Sequence, residues 1–415
     1  MDDFSAAPTT RSQCAALDAA DPLAGFRERF VLPKGVIYLD GNSLGALPSN
    51  TAARMQEAVE REWGQGLIRS WNEAGWYDLP RGLGDRIAPL IGAQPGETVV
   101  CDSTSVNLFK VLTAAVRLRP GRTVVVSELG SFPTDLYVTE GVSGLPGGGE
   151  RRLIGRDGAD LESLLDDQVA VVLLSHVDYR TGRLHDMAAV TEQVHRHGAL
   201  MIWDLCHSVG ALPVHLGECD ADFAVGCTYK YLNGGPGSPA FLYAAARHHE
   251  SASHPLTGWF GHAAPFAFEP DYAPAAGAGR FLVGTPPLLS LAALQASLDV
   301  WDEVDLEALR AKSLALTGLF IRLAQNLGLD VVTPLDPAVR GSQVSLRHPD
   351  GYAVVQALIE RGVIGDFRAP DILRVGFTPL YLSYCDVWDA AEIIGDVLAT
   401  ESWREERFSV RGAVT

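Results

Sequence analysis

Lys230 is one of four lysines in a chain of 415 residues, and it stands in the run Asp222-Phe223-Ala224-Val225-Gly226-Cys227-Thr228-Tyr229-Lys230-Tyr231-Leu232-Asn233-Gly234-Gly235-Pro236-Gly237-Ser238. A lysine amine becomes a nucleophile when burial or neighbouring positive charge lowers its pKa. An apolar run that ends in a Gly-rich turn can set such an amine at the edge of a sheltered site. Lys34 precedes the strand-like Val36-Ile37-Tyr38-Leu39, and Lys110 and Lys312 lie in helix-like stretches without comparable surroundings. The amine chemistry is therefore expected at Lys230, and Lys110→Ala is expected to leave it largely intact.

Three other groups suit a flat, anionic, amine-reactive ligand such as pyridoxal phosphate. Asp102-Ser103-Thr104-Ser105-Val106-Asn107 follows a strand-like run and opens a helical pattern over Leu108 to Val116. Free N–H groups and the helix dipole at such a start favour a phosphate, and the Thr104 and Ser105 hydroxyls can add hydrogen bonds. The same residues also suit an ordinary Ser/Thr cap. In Ser131-Phe132-Pro133-Thr134-Asp135, Pro133 fits a first helical turn, which leaves Phe132 at the sheet edge, either to stack on a ring or to fill core. Asp204 ends the apolar run Ala199 to Trp203, where a carboxylate needs a partner. A pyridinium N–H would be one, and a helix N-terminus another. His207 can orient Asp204 or be structural, and Tyr229 can bind phosphate, relay a proton or pack in the core.

The elements that must carry these residues read as α/β. Thr98–Cys101, Thr123–Val126, Val169–Leu174 and Leu200–Trp203 are continuously apolar, β-branched runs between helix-like stretches. That pattern predicts a mostly parallel sheet covered on both faces, with ligands at the strands' carboxyl ends. The Pro- and Gly-rich stretch from Pro265 to Pro287 interrupts regular structure, and a long helical pattern runs from Leu288 towards Leu309. A smaller α+β domain with strands near Leu329–Val332, Ser342–Leu346 and Ile372–Val375 is expected to follow. The resulting division is an N-terminal segment, 1–48, packing with the small domain; a large domain, 49–287; and a connecting helix with the small domain, 288–415. The first twenty residues read as mobile, and Gly144 to Gly149 as a surface loop.

A formal charge of −18 argues against wrapping nucleic acid or an anionic membrane and leaves small molecules as the expected ligands. The acidic N-terminus lacks the parts of a signal peptide, and no long apolar span appears, so a cytoplasmic location is expected. The six cysteines, at 14, 101, 206, 219, 227 and 385, show no C-x-x-C spacing and read as reduced thiols. Cys206, His207, His215 and Cys219 match no zinc spacing, and no metal is expected.

The order of phosphate turn, ring-stacking aromatic, strand-end Asp and later Lys resembles that of fold-type I pyridoxal phosphate enzymes, which implies a large domain with a mostly parallel seven-stranded sheet covered by helices. Beyond that order, the chain resembles the kynureninase family of the aminotransferase class V superfamily. The resemblance runs from Tyr38-Leu39-Asp40-Gly41-Asn42-Ser43-Leu44-Gly45 through Trp63-Gly64-Gln65-Gly66-Leu67-Ile68-Arg69-Ser70-Trp71-Asn72 and Gly258-Trp259-Phe260-Gly261-His262. It continues through Phe281 to Pro287, Arg374-Val375 and Pro379-Leu380-Tyr381. It implies that Lys230 anchors pyridoxal 5'-phosphate and moves the α-proton, that Asp204 pairs with the ring nitrogen and that Phe132 stacks on the ring. Thr104, Ser105, Asp135, His207 and Tyr229 would complete the cofactor site, with Trp259 and Thr285 reaching it across a homodimer interface. Arg374 would hold the substrate α-carboxylate, and Ser43 would line the substrate pocket. The implied reaction is hydrolysis of L-kynurenine, or its 3-hydroxy form, to anthranilate, or 3-hydroxyanthranilate, and L-alanine, in tryptophan degradation or NAD biosynthesis. Because some relatives carry asparagine at the position of Thr285, a preference for kynurenine is expected. The alternatives are a cysteine desulfurase or selenocysteine lyase of the same superfamily, and a non-catalytic binding protein on the same fold.

Overall fold

The computed structural model describes residues 8–145 and 149–412. The centre of the Gly144 to Gly149 stretch lies outside the described residues. By compactness the chain divides into two units: 1–49 with 179–184 and 303–415, and 50–178 with 185–302.

The larger unit is built on seven strands: β1 (Thr98–Val100), β2 (Val124–Glu128), β3 (Arg151–Ile154), β4 (Val169–Ser175), β5 (Leu200–Asp204), β6 (Phe223–Gly226) and β7 (Phe241–Ala244). They lie in the order β1-β7-β6-β5-β4-β2-β3. β7 is antiparallel to both its neighbours and every other pairing is parallel, which is the mostly parallel sheet the apolar runs predict. The carboxyl ends of β1, β2, β4, β5 and β6 consequently share one edge. β3, β6 and β7 were not resolved as strands from sequence.

Alternation along β5 shows how both faces are covered. Ile202 joins Leu108, Val111, Leu112 and Ala115 of the helix Thr104–Arg117 in the apolar core on one face. Its neighbour Trp203 points the other way and donates from Nε1 to Thr191 Oγ1 of the helix Met187–Arg196, at 3.1 Å. Complete burial of such side chains is worth roughly 2–3 kcal/mol each, so the sheet is a rigid platform for whatever its edge carries.

In the smaller unit, β8 (Asp330–Val331), β9 (Gln343–Arg347), β10 (Asp366–Arg368) and β11 (Ile372–Gly376) form an antiparallel sheet in the order β8-β9-β11-β10. Ile37–Tyr38 pairs in parallel with Val363–Ile364, and Asp40 bridges to Gly376, so the early motif is tied into this unit. Two expectations fail. Residues 8–20 are not a mobile tail: Arg11–Ala20 is a helix with a Thr10/Gln13 capping box, and Asp18 accepts from the Tyr384 and Cys385 N–H groups at 2.6 and 3.0 Å. The helical pattern from Leu288 is two helices, Leu288–Trp301 and Leu306–Asn326. Asp305 breaks it by accepting from the Glu307 and Ala308 N–H groups at 2.9 and 3.1 Å, an N-cap that starts a new helix. The division between the units falls at that break, after Asp302.

Candidate active site

Along the shared strand edge of the larger unit, the sequence-selected residues converge in three groups. The helix Thr104–Arg117 starts where the reading of Asp102 to Asn107 placed an anion turn, four residues before the predicted Leu108. Ser103 is its N-cap, with Oγ accepting from the Val106 N–H at 3.4 Å, which leaves the Thr104 and Ser105 N–H groups pointing out of the first turn. Thr104 Oγ1 lies 3.8 Å from Cys206 Sγ, which brings this turn to the segment after β5.

The second group is a pair of buried carboxyls. β4 and β5 pair with Ser175 opposite Asp204, and Ser175 Oγ donates to Asp135 Oδ2 at 3.1 Å. Asp135 sits in the first turn of the helix Pro133–Ser143, whose N-cap is Phe132 and whose N1 is Pro133, as that proline predicts. Asp204 Oδ1 accepts from the Cys206 N–H at 2.7 Å. Asp135 and Asp204 are both buried, and Asp135 Oδ1 has no hydrogen-bond partner. Burial first, and the Asp204 carboxylate second, push Asp135 well above the ordinary carboxylate range.

The third group is the lysine turn. Past β6 the chain turns back on itself, with Asn233 N–H bonded to the Lys230 carbonyl and Gly234 N–H to the Thr228 carbonyl, at 2.9 and 2.8 Å. Gly235, at φ +94°, takes a conformation that side-chain-bearing residues rarely adopt. Lys230 Nζ lies 3.0 Å from His207 Nε2, and 5.9 Å from the ring centroids of both Phe132 and Tyr229. Cys227 N–H donates to Cys206 Sγ at 3.2 Å and fastens this turn to the Asp204–His207 segment. Phe132 is 44% exposed and so available as a stacking face rather than filling core. Burial, with Cys227 next, raises the Tyr229 phenol above its usual range, so it stays an O–H donor.

Trp259 packs edge-on with Phe260, Phe266 and Trp71, and it is 40% exposed; Thr285 is exposed as well. Lys110 and Lys312 lie in helices, as their sequence patterns predict. Lys110 and Lys312 are buried and ion-paired, to Asp102 at 2.7 Å and Asp21 at 2.6 Å.

Ser43 and Arg374 meet in the smaller unit. Arg374 is 1% exposed; its Nε donates to Asp366 Oδ1 at 2.8 Å, its Nη1 to the Tyr179 carbonyl at 2.7 Å and its Nη2 to Ser43 Oγ at 2.8 Å, with Asp366 Oδ2 taking a further bond. Arg368 Nη2 adds a bond to Asp366 Oδ2 at 2.6 Å. Burial alone would raise Asp366, but Arg374 brings it below the usual range. Asp40 nearby is pushed up to about 7, by burial and then by Asp366. Asp366, Arg368 and Asp40 were not singled out from sequence. The usable signal was strand alternation, which puts Asp366 and Arg368 on one face, with Arg374 directly opposite Asp366 on β11.

Residues 309–394 match the family model of the kynureninase C-terminal domain. A kynureninase of Burkholderia pseudomallei (strain 1106a) is 55% identical over 415 residues, spanning 98% of this chain and 100% of that protein. One from Pseudomonas fluorescens is 53% identical over the same spans. Among solved structures, the apo cysteine desulfurase of Thermococcus onnurineus NA1 superposes with a TM-score of 0.76 at 19% identity, covering 91% of this chain and 98% of that one. A cystine C–S lyase in complex with cysteine persulfide gives 0.77 at 17%, covering 88% and 98%. Those two likenesses establish the fold that the strand-edge arrangement implies, and the full-length identities establish more: the chain belongs to the kynureninase family.

Proposed function

We propose that this protein is a pyridoxal phosphate-dependent hydrolase that cleaves the Cβ–Cγ bond of L-kynurenine with water, giving anthranilate and L-alanine. The observation that carries the reading is one strand edge bearing an amine, an aromatic face, an open helix start and two buried carboxyls. The residues fit the cofactor. Asp135 Oδ1 lacks a donor beside Asp204, and a cationic ring N–H is the partner such a carboxyl pair lacks. Thr104, Ser105 and Tyr229 would hold the phosphate, Phe132 would face the ring, Asp204 with Asp135 and His207 would hold the ring nitrogen, and Lys230 would be the covalent anchor.

When bound, pyridoxal phosphate supplies an electron sink for carbanions next to the substrate nitrogen. Lys230 then removes the proton from the substrate Cα and returns one at the end of turnover. Water adds to the aryl ketone at Cγ, and the Cβ–Cγ bond breaks with release of anthranilate. Tyr229, retained as a phenol, is the candidate donor of the proton that the Cβ fragment takes up on its way to alanine. Arg374 is assigned to the substrate α-carboxylate, its fork held in one plane by Asp366, and Ser43 lies against the same guanidinium.

The desulfurase alternative needs a reactive thiolate, and Cys385 is instead pushed up to about 11, by burial and then by Asp18. Incubation with pyridoxal phosphate and L-kynurenine should release anthranilate, read by its fluorescence. Sulfide from cysteine without anthranilate from kynurenine would reverse the ranking. A homodimer with Trp259 and Thr285 completing the partner's site is part of the proposal. Exposed apolar side chains on the larger unit support it, with Trp63 at 56%, Ile68 at 77% and Phe268 at 83%. Sedimentation as a monomer at micromolar concentration with full activity would remove it. Preference for kynurenine over 3-hydroxykynurenine is tested by the ratio of kcat/KM values, and equality would sink it. No helix among the described residues is long and apolar enough to cross a membrane, and a cytoplasmic location stays a proposal, checked by fractionation.

A further inference from the structure

Lys110 belongs to no step of the reaction, yet it is the most completely enclosed lysine of the chain. Its side chain is 0% exposed, and its ammonium donates to Asp102 Oδ2 at 2.7 Å, to the Phe281 carbonyl at 2.7 Å and to Cys101 Sγ at 3.3 Å. Three donors meet three acceptors, so the ammonium is fully used. Burying such a charge is costly unless it is paired and hydrogen-bonded, as this one is.

That partner is a liability where it stands. Asp102 sits at φ +48° between β1 and the N-cap Ser103, two residues before Thr104, the first residue of the open helix turn. Two peptide steps put the Asp102 and Thr104 Cα atoms at most about 8 Å apart, a separation comparable to the Debye length, so the carboxylate and an anion held by that turn are electrostatic neighbours. Two like charges at that distance in an effective dielectric near 20 repel enough to weaken binding by about thirtyfold.

We propose that Lys110 is a positioning residue for the phosphate turn: from inside the core it neutralises and aims Asp102, so that the Thr104–Ser105 turn can accept a phosphate. The proposal rests on the reading that this turn binds the cofactor's phosphate. The same ammonium ties down the Phe281 carbonyl and so anchors the segment leading to Thr285.

The test titrates apoprotein with pyridoxal phosphate and, separately, with pyridoxal. It compares wild type, Lys110→Met, Asp102→Asn and the double variant, with a thermal melt of each as the folding control. Lys110→Met should weaken pyridoxal phosphate at least about tenfold and pyridoxal less than about threefold, because the repulsion acts on the phosphate. The double variant should regain wild-type affinity to within about threefold, since removing Asp102's charge removes the need for Lys110. A double variant as weak as Lys110→Met, or equal losses for both ligands, overturns the proposal and leaves Lys110 a structural tie. If Lys110→Met does not fold, Asp102→Asn decides: affinity equal to or tighter than wild type supports the charge role, and a loss beyond about threefold overturns it. Wild-type protein that binds pyridoxal as tightly as pyridoxal phosphate removes the phosphate-turn reading, and the proposal falls with it, a result distinct from failure of the double variant.

Discussion

Each unit of the molecule buries a carboxyl group in a polar cluster, and the two, Asp366 and Asp135, are treated in opposite ways. In the smaller unit, Asp366 is closed on by Arg374 and Arg368, and it titrates below the ordinary range despite burial. In the larger unit, Asp135 and Asp204 have Ser175 and a backbone N–H for company, and Asp135 titrates well above that range. The first cluster carries its own cations. The second has Lys230, held 3.0 Å from His207 Nε2, as a cation that only partly opposes the rise at Asp135. A carboxylate paired with an arginine fixes that guanidinium for recognition, whereas a buried carboxyl pair with few donors suits a cationic ring N–H.

The contrast predicts where chemistry and where recognition reside. The largest effect is expected at Lys230: Lys230→Ala should lower turnover by more than about a thousandfold and remove the visible absorption of the bound cofactor, since anchor and base are lost together. An unchanged spectrum would end the assignment. Arg374→Lys keeps the charge but loses the planar fork. It should raise KM by about tenfold to a hundredfold with kcat changed much less, because a lysine cannot reproduce the contacts to Asp366, Ser43 and Tyr179. A loss confined to kcat would place Arg374 in the chemistry instead.

The two carboxyls can be set against each other directly. Asp366→Asn breaks a buried pair and leaves Arg374 uncompensated, at a cost of about 3–5 kcal/mol of stability in urea unfolding. Asp135→Asn in the cofactor-free protein removes a group that burial already disfavours in its charged form. It should cost less than about 1 kcal/mol, or stabilise. Equal losses would mean that Asp135 is as well paired as Asp366.

What was legible in the sequence follows the same line. Strand ends, a proline at N1, a Gly-rich turn and a rare lysine announce themselves through backbone constraints that act within a few residues, and these gave the edge of the larger sheet. Asp366, Arg368 and Asp40 depend on which strands pair: Asp366 meets Arg374 only because β10 and β11 are adjacent in that register, and Asp40 only because Leu39 and Ile364 are bonded. The Lys110–Asp102 pair was not legible, because a helix pattern does not say that Asp102 curls back at φ +48° to meet Lys110. For residues 8–20, position near a terminus is a poor guide to disorder, because the Thr10-x-x-Gln13 box that caps their helix is written in the sequence.

The smallest effect tests the edge of the arginine-paired cluster. Asp40 is pushed up to about 7 by burial and by Asp366, with Arg374, Arg368 and Ser43 opposing, and Tyr38 is the further titratable group beside it. A carboxyl whose folded pKa lies above its unfolded value binds its proton more tightly when folded. Its stability contribution is therefore complete below about pH 4 and lost as the pH rises through about 7. Asp366 has the opposite sign: its contribution is present above the ordinary carboxylate pKa and lost in acid. Between about pH 5.5 and pH 8, Asp366 is charged throughout, and Asp40 is the member of the cluster that changes. Asn at position 40 mimics the neutral acid at every pH. The holoenzyme's thermal midpoint should consequently fall less for Asp40→Asn than for wild type over that interval, by a few degrees. Histidines elsewhere titrate in both proteins and cancel in the difference. Identical slopes would show that Asp40 keeps an ordinary pKa, and that the smaller unit's cluster holds two carboxylates as completely as one.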